Sequence, residues 1–259
     1  MAAVNNVQES KAKLQGQEVP KLTDQGIRDA VKMWVSNRTE AESLYGPISD
    51  WDVSEVTDMK ELFKDHTTFI DDISRWNVSN VTNMNRMFWC ALSFNQDIGD
   101  WDVSNVTDMS SMFCGALVFN QPVGDWDVSK VTDMSCMFCG ANTFNLPLGN
   151  WNVSNVTNMT YMFYEAHAFN QPIGDWNVSN VADMTYMFCG AHTFNQAIGG
   201  WNVSKVTNMS HMFHGAVSFN RDLTRWDTSA VGDTSSMFLD ARAMLRSNKP
   251  SKARGCVIM

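Results

Sequence analysis

No run of 18 apolar residues occurs in this 259-residue chain, so nothing in it reads as a membrane-crossing helix. The opening stretch "MAAVNNVQESKAKLQGQEVPK" lacks the apolar core of an export signal. Acidic residues stop at Asp240, and Arg242, Arg246, Lys249, Lys252 and Arg254 follow it unopposed. The rest of the chain carries 28 acids against 14 bases. So acidic a body excludes nucleic acid, whose binders need a basic patch. The six cysteines (Cys90, Cys114, Cys136, Cys139, Cys189 and Cys256) accompany no export signal, and we read them as reduced thiols rather than a disulfide framework. Nucleophile–base pairs and phosphate-binding loops are missing too. His66, His167, His192, His211 and His214 have no carboxylate at a diagnostic spacing. We therefore expect no enzyme and no cofactor.

What is present is a period of 25 residues. Units begin at Trp51, Trp76, Trp101, Trp126, Trp151, Trp176, Trp201 and Trp226, with no insertion between them. The third reads "WDVSNVTDMSSMFCGALVFNQPVGD". The 15 Phe fall at only two positions of the unit, the thirteenth (Phe63 to Phe238) and the nineteenth (Phe69 to Phe219). A unit this small cannot bury its own apolar face, but stacked copies cover one another. We place Val at positions 3 and 6, Met at 9, Phe at 13 and 19, Ala at 16 and the aliphatic at 23 inside. "VTDM" alternates as a short strand does, and "SSMFCGA" reads as a helical turn. Val, Thr, Asn and Asp are poor helix formers, which argues against a two-helix repeat.

Asn recurs at position 20, as Asn95, Asn120, Asn145, Asn170, Asn195 and Asn220. A buried carboxamide there can satisfy backbone groups of neighbouring units, a structural ladder. The first unit has Ile70 at this position and the eighth has Leu245. Ahead of the repeats, Ile27, Ala30, Val31 and Trp34 share one helical face, with Thr23 or Asp24 as N-cap. A second helix is expected to start from a capping box of Thr39 and Glu42 and to end at Gly46-Pro47. The expected organisation is a disordered segment 1–20, a helical cap 21–50, an eight-unit repeat region 51–245 and a flexible basic tail 246–259.

"WDVSNVTDMSSMF…FNQ", repeated after "AVKMWV…LYGPISDWDVS", resembles the BspA-like surface-protein repeats, distant relatives of leucine-rich repeats. The resemblance implies an α/β, leucine-rich-repeat-like right-handed solenoid of short strands and short helical turns that binds partners, without catalytic residues. The terminal "CVIM" resembles a CaaX prenylation box. Cys256 would be the lipid acceptor, Val257 and Ile258 the aliphatics, and Met259 would select farnesyl. One lipid chain binds membranes only marginally, and the five bases from Arg242 to Arg254 would supply the usual second signal. The expected partners are then a prenyltransferase, a membrane and one or more proteins, at the cytoplasmic face of a eukaryotic membrane. An extracellular adhesion protein is the alternative.

Other columns have simpler readings. Cys114, Cys139, Cys189 and His214 share position 14, but equal positions form a line and zinc needs ligands converging on a point. We read the cysteines as small filler and expect no metal. Asp and Asn at positions 2 and 8 suit backbone-bonding turns better than calcium. Function is expected where units differ, at positions 10, 11, 14, 17 and 18. Trp89, Tyr161, Tyr164, Tyr186, His211 and His214 lie there, and aromatics are enriched in interface hot spots.

Overall fold

A computed structural model describes residues 21–255. The Cys256–Met259 box and the expected disordered segment 1–20 lie outside the described residues. Two helices come first: α1, Asp24–Ser36, and α2, Arg38–Tyr45. Thr23 caps α1 by accepting the Gly26 N–H. The capping box of α2 is Asn37 with Glu40, not Thr39 with Glu42. The Asn37 side chain accepts the Glu40 N–H and donates to the Glu40 carboxylate at 2.8 Å. The single residue left between the two helices is Asn37, so it alone can occupy the N-cap position.

The repeats then lie side by side in parallel, each residue facing its equivalent 25 residues on. Asp58 bridges Asn83, Asn83 bridges Asp108, and so on to Asp233. The expected strands shrink to this single bridging residue per unit. The expected helical turn is also replaced, by a chain of tight turns. In unit one the N–H groups of Val56, Leu62, Lys64, His66 and Phe69 each bond the carbonyl three residues back. The intervening N–H groups of Met59, Glu61, Phe63 and Asp65 point the other way, to carbonyls of Asn83, Asn85, Met87 and Trp89 in unit two. This alternation needs a left-handed backbone at positions 11 and 15 in every unit. Arg86, Tyr161 and His211 adopt it at position 11, with φ of 55° to 57°. An L residue pays about 1–2 kcal/mol for that conformation. The inter-unit hydrogen bond that it aims recovers about 1 kcal/mol.

The core is a set of parallel columns. Phe rings at position 13 stack on their successors at 5.5–5.7 Å. Within a unit the two Phe rings stack at 3.8–4.2 Å. The Val, Met, Ala, Phe and aliphatic columns are buried, and so are two that sequence reasoning left out, Met at position 12 and Trp at position 1. Each Trp from Trp76 to Trp226 donates its indole N–H to the carbonyl 28 residues back, at 2.8–3.2 Å. That bond satisfies the one polar atom of an otherwise apolar ring.

The first and last units lack one neighbour each, and side chains from outside the repeats take its place. In later units the N–H at position 7 bonds the previous unit, as Thr82 does with the Thr57 carbonyl. Thr57 has no previous unit and bonds the Asp24 carboxylate at 2.7 Å, joined there by Asp58 N–H at 3.0 Å. At the other end the segment read as a flexible tail folds against the last unit as far as residue 255. Arg246–Asn248 and Ser251–Gly255 are short 3-10 turns, with Lys249, Pro250 and Ala253 buried. Asn80 donates to the Ser54 carbonyl of the preceding unit. In the last unit the Lys252 ammonium takes that role, donating to the carbonyls of Ser229 and Val231 at 2.8 and 2.6 Å. Unpaired edge carbonyls attract a cation, and Lys252 supplies it.

Candidate functional site: a variable wall at positions 11, 14 and 15

Most faces of the stack repeat one residue type. Asx side chains at position 2 accept the N–H two residues on at 3.0–3.2 Å. Those at position 8 do the same at 2.7–3.1 Å. The serine hydroxyl two residues on, and after it this N–H, holds Asp52, Asp102 and Asp127 below the usual carboxylate range, and at Asp233 the N–H leads. The Thr column at position 7 is exposed and also serves the backbone, Thr107 Oγ1 donating to the Thr82 carbonyl at 3.2 Å.

The Asn column forms a continuous chain along the stack. Oδ1 of Asn95, Asn120, Asn145, Asn170 and Asn195 accepts the N–H of the next Asn at 2.8–3.1 Å, and Asn220 accepts that of Leu245. These side chains are half-buried, or exposed at Asn95, rather than the buried groups expected. Phe at position 19 turns inward, so the residue after it faces the rim.

The wall made by positions 11, 14 and 15 is where the units differ. Its N-terminal end is charged. Arg86 bridges to Glu61 at 3.2 Å, and the Lys64 ammonium sits over the Trp89 ring at 5.3 Å. Its middle holds thiols: Cys90, Cys114, Cys136 and Cys139, all half-buried. Its C-terminal part is aromatic. Tyr161 stacks on Tyr186 at 4.7 Å, and Tyr186 on His211 at 4.4 Å. Tyr164 closes on both tyrosines at 5.6 and 6.2 Å, and His214 approaches His211 to 5.6 Å. Five of the six aromatic residues singled out in the sequence thus form one half-buried patch. Trp89 does not join it, because three units separate it from Tyr164. The Tyr164 hydroxyl is pushed up to about 12 by burial and by neighbouring Glu165, so it stays a neutral donor. His214 Nδ1 is buried with no hydrogen-bond partner among the described residues.

Sequence reasoning missed the Arg86–Glu61 bridge, which no pattern within one unit shows. It also missed a second imidazole pair at position 17, His167 and His192, stacked at 4.5 Å. The shared position of those two histidines was its only signal. Of the basic residues expected beside a membrane, Arg242 and Arg246 are exposed. Lys249 is buried with its ammonium over Phe238 at 5.0 Å, and Lys252 is bonded to the last unit. Lys249 is thus buried and Lys252, although exposed, is tied to edge carbonyls, so neither ammonium is an unengaged charge for a lipid surface. The side chain of Arg254 lies outside the described residues. No group of three His, Cys, Asp or Glu side chains converges as a metal site among the described residues. No described helix is long and apolar enough to cross a membrane. A groove of about 430 Å³ opens between α1 and unit one, lined by Val31, Val35, Leu62, Arg28, Lys32 and His66.

Eight equivalent units in parallel register define a tandem-repeat protein. The chain belongs to the family described as Mycoplasma protein of unknown function, DUF285, whose model matches residues 5–113, 29–151, 95–191 and 169–252. Neither a curated protein nor a solved structure matches it.

Proposed function

We propose that this repeat protein is a non-catalytic scaffold that binds a protein partner through the aromatic part of the variable wall. The observation that supports this reading most is the Tyr161–Tyr186–His211 column. Three successive units place rings on the left-handed position 11, whereas the columns at positions 1, 2, 6, 8 and 13 repeat structural residues. Half-buried tyrosines present large contact area at small entropic cost, the usual make-up of an interface anchor.

In the same reading the stack is a right-handed, leucine-rich-repeat-like solenoid of the BspA-like type. The 25-residue parallel register supports that assignment. Farnesylation of Cys256 tethers it to a cytoplasmic membrane face, with Arg242 and Arg246 as the adjacent cations. The support for the tether is the "CVIM" motif beside these basic residues.

The binding test is a comparison of two triple variants in affinity capture from cell extract. Tyr161→Ala/Tyr186→Ala/His211→Ala should lose the partners that wild type retains. Thr82→Ala/Thr107→Ala/Thr132→Ala, on the exposed threonine face, should keep them. Equal capture by both removes the aromatic patch as the site. For the tether, mass spectrometry of protein from eukaryotic cells should find the farnesyl thioether on Cys256. Unmodified Cys256 with Met259 still present removes the anchor.

A further inference from the structure

The middle of the variable wall carries a pair of neighbouring thiols. Cys114 and Cys139 occupy position 14 of adjacent units. The residues on either side of them fix how close the two units run. Phe113 and Phe138 stack at 5.7 Å, and Gly115 N–H donates to the Cys139 carbonyl at 2.7 Å. A methyl group added to Gly140 would lie only 3.7 Å from the Gly115 Cα. Disulfides require Cα atoms about 4.4–6.8 Å apart. Neighbouring backbones in parallel register run about 4.8 Å apart, inside that range, and the Cys139 thiol lies near enough to the Cys114 sulfur to perturb its ionisation. A third thiol, Cys136, is joined to Cys139 by a turn of 3.1 Å. The line of equivalent positions is therefore locally a triangle, because positions 11 and 14 stand side by side.

We propose that Cys114 and Cys139 are a redox-modification site, at which a hydroperoxide joins them in a reversible disulfide stapling the third unit to the fourth. The two thiols have different roles. The Cys139 hydrogen bond, and after it the Trp89 indole and the Arg86 charge, favour the Cys114 thiolate against its burial. Cys139 is held protonated by the same bond, as its donor. The Cys114 thiolate attacks the hydroperoxide; an S–O bond forms, the O–O bond breaks, and the alkoxide leaves and takes a proton from water. The product is a sulfenic acid. The Cys139 sulfur then attacks the Cys114 sulfur; the S–S bond forms, the S–O bond breaks, and water departs with the Cys139 proton. The thiols lose two electrons and the hydroperoxide gains them. A small thiol reductant reverses the reaction.

The test uses the dilute full-length protein and hydrogen peroxide. The intact mass should fall by two hydrogens, and a non-reduced digest should join the Cys114 and Cys139 peptides. Dithiothreitol should restore both thiols. Cys139→Ser should halt at a Cys114 sulfenic acid that dimedone traps. Trp89→Phe should slow alkylation of Cys114 by iodoacetamide several-fold, and Cys189→Ser should oxidise as wild type does. An unchanged mass, a bond from Cys136 to Cys139 instead, or a disulfide between two chains overturns the proposal.

Discussion

The Asn145 side-chain oxygen accepts the backbone N–H of Asn170 at 2.9 Å, and the Gln171 amide donates to the same oxygen at 3.0 Å. One carboxamide therefore holds two groups of the next unit in place. Asn145→Ala leaves both without that acceptor. The site is half-buried, so water replaces part of what is lost. We expect a loss of about 1 kcal/mol, read as a lower urea midpoint with an unchanged slope. No change in the midpoint would mean that the column is decoration.

Asp24 makes the first unit's stability depend on pH. Burial acts to raise its pKa, but the N–H groups of Thr57 and Asp58 and the Thr57 hydroxyl overcome that and hold it below the ordinary carboxylate value. Its folded pKa is thus depressed relative to the unfolded chain. Its contribution is complete above about pH 4, the unfolded value, and disappears as pH falls through the folded one. Asp24→Asn should lower the urea midpoint at pH 7, and the gap between variant and wild type should narrow as pH drops toward 3. A gap of constant size would show that charge is not what Asp24 contributes.

Gly99 sits where adjacent units nearly touch. A Cβ there would meet the Pro122 carbonyl oxygen at 2.5 Å, a backbone atom that cannot swing aside. Gly99→Ala must push the second unit away from the third. The expected cost is about 2 kcal/mol, visible as a lower melting temperature. Gly200→Ala meets no atom within 4 Å and sits at an ordinary φ, so it should be nearly neutral. Equal losses in the two variants would contradict the close approach at Gly99.

Lys252 closes the last unit. Lys252→Ala leaves the Ser229 and Val231 carbonyls to water, and we expect a loss of about 1 kcal/mol in urea unfolding. The same variant should bind anionic liposomes nearly as well as wild type. A large drop in flotation with no change in stability would return Lys252 to the role of a membrane charge.

The period was legible in the sequence because each column of the stack is one residue type: Phe63 to Phe238 could only be a core column, and Asn95 to Asn220 could only be a ladder of polar groups. The Asp and Asn of positions 2 and 8 were legible as turn formers for the same reason. Met112 and Trp101 were less plain, since their burial depends on how a unit folds back over itself. The amino-acid sequence by itself determined the 25-residue register, most of the buried columns and the positions where units vary. Only the tertiary structure decided which way the backbone turns at Arg86, Tyr161 and His211, whose residue types give no sign of a left-handed conformation. It also decided that column 11 stands beside column 14, which brings Cys136 next to the Cys114–Cys139 pair and Tyr161 next to Tyr164, and that Asp24 and Lys252 stand in for missing neighbours. The reason is that these features depend on hydrogen bonds between units. An N–H in one unit finds its carbonyl some 24 residues on, and no pattern inside a single unit records where that partner will be.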